Sequence, residues 1–334
     1  MKKTLKGLIA VTASVISTGA MASNMENPLY MPVEGEFYTK TGVGIMYKET
    51  DHTKALIAKD ADGKVEFPVW RFTEDLGYGI TDRLDVHGRF GYTYDGDINR
   101  KGMHRGRLGM TFRALTKDDP FIWDLYVDAY LSGVTPMKGS YKTTGFDYAN
   151  YSNGRWGVID GTKFGKRWAD LTLAGHVEYL QTFGNHNNKI KIDRDVQTPL
   201  GTMGSINFPE EISVDLKSTH EWTAGIDAFY QIDMDWSFGF GFEFVEHADN
   251  GVKGVHTKMT TPQTAGVADG MAKSMKNMHD GWDEYILKAT LAYQITDDTQ
   301  VSVFTEYTMD DAHEQSQNGT DVKLELGVRL NARF

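Results

Sequence analysis

The most regular feature of this chain is an alternation of apolar and polar residues over its last thirteen positions. From Val322 to Phe334 the even-numbered positions carry Val, Leu, Ala or Phe, and the odd-numbered positions carry Lys, Glu, Gly, Arg or Asn. Successive side chains of a β-strand point to opposite faces of the sheet, so a two-residue period predicts a strand with one apolar face and one polar face.

The same period recurs upstream with larger side chains. Between positions 236 and 244 every even position is Trp or Phe, while the odd positions are Ser, Gly or Glu. Bulky aromatic residues on one face and glycines on the other suit a wall with lipid outside and open space inside, rather than a soluble core that needs filling from both sheets. The segment from Tyr285 to Ile295 repeats the pattern, with an aromatic residue at each end of its core, as at a membrane interface.

Twelve segments of this kind can be identified, and the connections between them alternate in length. Short turns alternate with long loops such as 134–153, 184–216 and 248–281, which is the arrangement of bacterial barrels with both termini in the periplasm. The sequence therefore predicts an all-β fold, a transmembrane antiparallel up-and-down β-barrel of twelve strands, with bounds of ten and fourteen. The expected strands are 36–48, 65–80, 83–95, 103–115, 120–133, 154–167, 170–183, 217–231, 235–247, 282–296, 299–310 and 321–334.

The N-terminus adds an export signal to this picture. Lys2, Lys3 and Lys6 precede a short apolar stretch, and Ala20-Met21-Ala22 forms an A-x-A cleavage pattern. This is typical of a secretory signal peptide, and the apolar run is shorter than the roughly 20 residues that a membrane-spanning helix needs. We therefore expect a signal peptide over 1–22, cleaved after Ala22, a short periplasmic lead-in over 23–35, and the barrel over 36–334.

Composition excludes several function classes. Removal of residues 1–22 takes away three lysines and no acids, which leaves 32 Lys and Arg against 46 Asp and Glu, a formal charge of −14. Nucleic acid is not an expected partner of so acidic a chain. The chain contains no cysteine, so it forms neither a disulfide framework nor a thiolate metal site. We expect no cofactor and no metal, and no enzymatic activity.

The C-terminus also carries a family resemblance. The final residue is Phe334, and Ala332, Leu330, Val328 and Leu326 precede it at every second position. This resembles the C-terminal recognition signal of Gram-negative outer-membrane β-barrel proteins. The resemblance implies a porin-like protein of the outer membrane that contacts lipid and lipopolysaccharide and is inserted by the barrel-assembly machinery. No porin subfamily is identified.

Positions of the opposite parity are expected to face the lumen, where they would pass small polar or charged solutes by diffusion. Basic side chains concentrate on the third and fourth predicted strands, and carboxylates on the seventh to eleventh, so the two walls would set up a transverse field that tunes selectivity. Three charged residues, Glu74, His104 and Asp160, fall instead on the apolar parity, where we expect a bulge or a rim position. The residues predicted to line a pore are Arg83, Arg89, Arg105, Arg107, Arg113, Asp124, Asp128, Glu178, Asp227, Glu243 and Glu306.

Two other functions stay open. Salt bridges between adjacent strands, such as Arg113 with Asp124, would fill a narrow barrel and leave a non-conducting structural or adhesive surface protein. The third is an outer-membrane hydrolase, because residues 151–155 resemble part of the H-x-S-N-G motif of an outer-membrane phospholipase. The histidine of that motif is replaced by Asn150, which cannot accept the proton of Ser152.

Overall fold

The computed structural model describes most of the chain after residue 23. The described residues are 24–49, 69–95, 100–116, 120–131, 138–140, 146–149, 156–192, 197–198, 201–202, 211–248, 252–258, 281–312 and 321–334. The predicted signal peptide, Ser152 and most of the long loops lie outside these ranges.

Twelve long strands, labelled β1 to β12 in chain order, form the wall of the molecule. Their bounds lie within a few residues of the sequence prediction. The strands are β1 (Phe37–Glu49), β2 (Val69–Thr81), β3 (Leu84–Asp95), β4 (Arg100–Leu115), β5 (Ile122–Tyr130), β6 (Gly157–Arg167), β7 (Leu171–Thr182), β8 (His220–Gln231), β9 (Trp236–His247), β10 (Trp282–Thr296), β11 (Thr299–Ala312) and β12 (Asp321–Arg333).

Each strand pairs antiparallel with the next, and the first pairs with the last. In the closing pair, β1 runs against β12 from Tyr38 opposite Arg333 to Glu49 opposite Val322. The sheet is therefore closed, so none of these strands leaves an unpaired edge. The predicted fold, a closed twelve-stranded antiparallel up-and-down barrel, is confirmed.

Short strands extend the wall beyond the ends of the long ones, on the side of the long loops. Glu211–Leu216 pairs with Asn185–Ile192 and with Val252–Lys258, and Asn185–Ile192 pairs with Phe146–Ala149. These segments belong to the long predicted loops, so the loops continue the sheet of the barrel without adding a strand that crosses the membrane.

The alternation of the sequence becomes an alternation of exposure. On β9 and β12 the outward residues Trp236, Phe240 and Leu326 are 42%, 49% and 55% exposed, whereas the inward Ser237 and Glu325 are 1% and 5% exposed. An apolar outer belt with a polar interior is the pattern of a barrel embedded in lipid. No helix among the described residues is long and apolar enough to cross a membrane.

The three charged residues on the apolar parity have different explanations. The pairing of β3 with β4 shifts between Arg89–Arg107 and Gly91–His104, so β4 contains a bulge that brings His104 opposite an inward-facing position. The predicted bulge is therefore confirmed for His104. Asp160 keeps the regular register and lies near the long-loop end of β6.

Glu74 is an outward-facing acid in the middle of a regular strand. The register of β2 is unbroken around it on both sides, so the expectation of a bulge or rim position is wrong for this residue. Its carboxylate instead accepts hydrogen bonds from the hydroxyl groups of Thr39 and Thr41 on β1. Two neutral donors on the adjacent strand reduce the cost of placing this carboxylate on the outer wall.

Candidate functional site

Residues 24–31, which we call the plug, lie inside the barrel at the end that carries the short turns. Met25 and Leu29 are 1% and 0% exposed, and Asn24 and Asn27 are both 3% exposed. Leu29 packs against Ile122 of β5 and Ala174 of β7. The barrel therefore encloses a segment that the sequence analysis assigned to a short periplasmic lead-in.

The two asparagines of the plug bind inward-facing side chains on four strands of the wall, β7, β8, β9 and β11. The side chain of Asn24 donates to Gln231 at 3.2 Å and to Ser237 at 3.0 Å, and it accepts from Gln300 at 2.9 Å. The amide of Asn27 donates to the hydroxyl of Thr172 at 2.9 Å. The polar groups that become buried when the plug enters the lumen are thus paired by the barrel.

Glu26 supplies the one carboxylate of the plug. It accepts hydrogen bonds from Arg329 at 3.1 and 3.2 Å, from Ser302 at 2.8 Å and from Asn331 at 2.8 Å. Burial alone would raise the pKa of Glu26, but the charges of Arg329 and Lys40 and the hydrogen bonds from Asn331 and Ser302 outweigh it. They lower that pKa from 4.5 to about 2, so the carboxylate is ionised at neutral pH.

Backbone carbonyl groups of the plug accept hydrogen bonds from cationic side chains of the wall. Lys40 donates to the carbonyl of Met25 at 2.6 Å, and Lys163 donates to that of Pro28 at 2.9 Å. The carbonyl of Leu29 accepts from Arg113 at 3.0 Å and also from Arg167. We call the five cations that bind the plug the basic ring, which comprises Lys40, Arg113, Lys163, Arg167 and Arg329.

A turn joins the plug to the wall. Gly35 has a φ of 81°, a left-handed conformation that glycine adopts without steric cost, and its amide donates to the carbonyl of Gly79 at 2.9 Å. Phe37 and Phe334 then exchange backbone hydrogen bonds, which seals the chain terminus against the start of β1. The plug forms hydrogen bonds with eight of the twelve strands, namely β1, β4, β6, β7, β8, β9, β11 and β12, and Leu29 also packs against β5.

Most of the predicted lumen-facing cations of β3 and β4 are bound to carboxylates. Arg89 binds Asp75 through two hydrogen bonds of 2.8 and 3.0 Å, and Arg113 binds Asp124 through two of 2.7 and 2.9 Å. Arg107 reaches Glu178 at 3.2 Å, although β4 and β7 are not neighbours. Ion pairs therefore connect the basic wall and the acidic wall that the sequence predicted.

Two of the eleven predicted positions lie outside this arrangement. Arg83 is exposed in the short turn before β3 rather than on the strand. Arg105 falls within the bulge of β4, where the two-residue alternation that assigned it to the lumen is interrupted, and its side chain is not among those described. That the eleven predicted positions line a conducting path stays a prediction.

Histidines contact three of the six predicted carboxylates, Asp128, Asp227 and Glu243, and each of these histidines bridges two acids. His87 lies between Asp85 and Asp128, with both ring nitrogens 3.0 Å from a carboxylate oxygen. His176 lies between Asp227 and Glu243, at 3.4 Å from each, and Glu243 also binds Lys288. A third histidine, His247, occupies the corresponding position between Glu221 at 2.8 Å and Glu284 at 3.6 Å. Parity placed these residues inside, but it did not reveal that each histidine bridges two acids.

Beyond the plug, on the side of the long loops, a cavity of about 140 Å³ lies against the wall. Arg71 binds Glu325 there at 2.6 Å, which joins β2 to β12 across β1. Within the described part of the chain, no group of three or more His, Asp and Glu side chains is arranged to hold a metal ion. The residues lining the cavity are Met46, Arg71, Glu284, Ile286, Glu306, Thr308 and Glu325.

Comparison with known proteins bears on the fold only. No protein-family model matches the chain, and no curated protein matches it. An outer membrane channel from Pseudomonas putida F1 superposes with a TM-score of 0.53 and 14% sequence identity, over 93% of this chain and 98% of that one. The NanC porin, at 10% identity and a TM-score of 0.43 over 86% and 98% of the two chains, is too distant to support an argument. The fold of this chain is that of an outer-membrane β-barrel.

Proposed function

We propose that this protein is an outer-membrane channel for the passive diffusion of small polar or charged solutes, and that its plug closes the periplasmic end. Twelve strands lie between the eight-stranded barrels that side chains fill and the wider barrels that hold an aqueous channel, so strand number alone does not decide. The location of the plug carries the proposal.

A barrel whose own side chains filled its interior would have no room for a second segment of chain. Here the wall at the short-turn end surrounds residues 24–31, and the wall side chains that touch them are mostly polar or charged. Within the described residues, the plug continues into the wall at its C-terminal side, through the turn at Gly35. Its departure would therefore leave a polar opening wide enough for a peptide, which is the property of a solute channel.

Single-channel recording in planar bilayers tests this proposal with a matched pair of variants. Glu26→Gln removes a charge that Arg329 binds, whereas Glu34→Gln removes the same charge from an exposed position in the same N-terminal segment. A buried, charge-assisted hydrogen bond contributes roughly 1.5–3 kcal/mol, so Glu26→Gln should raise the opening frequency by about tenfold or more. Glu34→Gln should leave it unchanged. If neither variant opens in discrete steps, the channel proposal is wrong.

A specific observation favours a second candidate, a non-conducting surface barrel. The pairs Arg107–Glu178 and Arg71–Glu325 join strands that are not neighbours and so narrow the lumen beyond the plug. If these pairs hold when the plug is released, the barrel stays closed. The Glu26→Gln recording decides between the two candidates, since only the first predicts current.

The cellular setting belongs to the same proposal. Aromatic residues at both ends of the outer belt, such as Trp236 beside Tyr293 and Phe244 beside Tyr285, suit contact with the two interfaces of the outer membrane and its lipopolysaccharide. In the same proposal, the predicted signal peptide directs export of the chain. The barrel-assembly machinery then recognises the strand that ends at Phe334. Outer-membrane fractionation of the tagged protein tests this placement.

A further inference from the structure

We propose that the basic ring is the charge filter of the open channel, that it favours small anions bearing carboxylate or phosphate groups, and that the plug occupies this anion site in the closed state. This inference rests on the proposed channel function and names the class of solute that passes.

The ring is compact. Its five members bind the oxygens of four residues, Met25, Glu26, Pro28 and Leu29, within a stretch of five. Five residues span at most about 17 Å of chain, so the cations lie within one stretch of the lumen at its short-turn end. They come from β1, β4, β6 and β12, so they lie along about half of the wall, the part that runs from β12 through β1 to β6.

The oxygens that the plug presents to this ring are groups that an anion would also present. Three backbone carbonyl oxygens and the carboxylate of Glu26 accept the hydrogen bonds. Carboxylate and phosphate oxygens accept the same charge-assisted bonds from Lys and Arg, and they do so more strongly than carbonyl oxygens. The bound plug thus shows how an anionic solute would be held.

Two members of the ring depend on the plug for their partners. Lys163 and Arg167 have no carboxylate within 4 Å among the described side chains, and the Nε atom of Arg167 is buried without a hydrogen-bond partner. Arg113 alone keeps a carboxylate of the wall, Asp124. Departure of the plug would leave five cations and that one carboxylate, a net charge of +4 at this level.

Two wall contacts hold ring members in place without the plug. The guanidinium of Arg329 lies 4.8 Å from the ring centre of Phe304, and the ammonium of Lys40 lies 5.9 Å from that of Tyr38. Both aromatic partners belong to the barrel. The ring would therefore stay largely formed in the open state.

Carboxylates elsewhere in the lumen are mostly neutralised. Glu178, Glu325 and Glu243 bind Arg107, Arg71 and Lys288, and the acids near His87 and His176 share those histidines. Once the plug is gone, the basic ring is the part of the lumen with the largest net charge. A water-filled constriction lined by one sign of charge concentrates the opposite ion.

Reversal potentials across a potassium chloride gradient test this inference in the full mature chain. Leu29→Ala loosens the plug and leaves the ring intact, so openings of this variant should pass chloride about tenfold more readily than potassium, the low end of the enrichment that such clefts produce. Adding Lys163→Glu should abolish or reverse the preference. The matched control is Lys166→Glu, which makes the same change on the outer face of β6, where Lys166 lies over the rings of Phe121 and Trp168.

The outcomes separate this inference from the channel proposal. The anion filter alone would be overturned if openings of the Leu29→Ala variant were unselective or cation-selective. It would also be overturned if Lys163→Glu left the preference for chloride over potassium unchanged. No openings in any variant would overturn the channel and the filter together. If Lys163→Glu fails to fold, as judged by heat-dependent gel mobility, Lys163→Gln should still lower the chloride preference, and a failure to do so would count against the filter.

Discussion

Leu29 is the residue through which apolar burial holds the plug in the lumen. Its side chain is fully buried against Ile122 and Ala174, so truncation to alanine removes three carbon atoms from a packed contact. Leu-to-Ala changes at such sites cost about 2–5 kcal/mol, and the open state, in which Leu29 faces water, is spared this cost. A penalty of about 3 kcal/mol on the plugged state alone shifts the equilibrium toward the open state by about 100-fold.

Single-channel recording measures this shift as the fraction of time spent open. The Leu29→Ala variant should raise that fraction by about 100-fold, up to saturation, without changing the current of each opening. Val33→Ala is the control, because Val33 lies in the same segment but is 55% exposed. An open fraction for Leu29→Ala that matches that of Val33→Ala would refute the reasoning that burial of Leu29 closes the channel.

Three further predictions concern the wall and the plug. Arg113→Met leaves Asp124 buried without its cation, so the free energy of unfolding in lipid vesicles, measured by urea titration, should fall by about 3–5 kcal/mol. The control Arg83→Met, at an exposed position, should change that free energy little. Gly161→Ala would place a methyl carbon 2.2 Å from the ring of Tyr126, so the ring must move and its hydrogen bond to Glu178 should weaken. The free energy of unfolding, measured by the same titration, should fall by about 1–3 kcal/mol. Because the pKa of Glu26 is lowered to about 2, the contribution of its carboxylate to plug binding is complete above about pH 4.5 and is lost as the pH falls toward 2. The ratio of the opening frequency of Glu26→Gln to that of wild type should therefore be constant between pH 7 and 5.

The barrel was accessible from the sequence because its main signal is local. Whether a residue faces lipid or lumen depends only on its parity within a strand, and apolar residues at every second position reveal that parity without knowledge of the partner strand. The same rule fails where the backbone departs from regular pairing. The bulge of β4 reverses the parity on its far side, so alternation alone assigned His104 to the lipid face, and the bulge that we expected there accounts for the exception.

Contacts across the lumen were not accessible in this way. Arg107 and Glu178 lie on strands separated by two others, so their pairing depends on the diameter and tilt of the closed barrel and not on any short-range pattern. One feature of the sequence indicates the plug, and it is independent of the alternation along the strands. Met25 and Leu29 are apolar residues in a segment otherwise assigned to water, and both are buried in the structure.

The position of the plug is the central claim of this account, and a reversible covalent lock tests it most directly. The chain contains no cysteine, and the side chains of Asn27 and Thr172 meet at 2.9 Å, so Asn27→Cys with Thr172→Cys brings two thiols to adjacent positions, and their oxidation to a disulfide joins the plug to β7. In the Leu29→Ala background, the oxidised protein should show no openings, reduction should restore them, and the single Thr172→Cys variant should ignore the reductant. Openings of equal frequency before and after reduction, in protein whose disulfide is verified by gel mobility, would contradict the account.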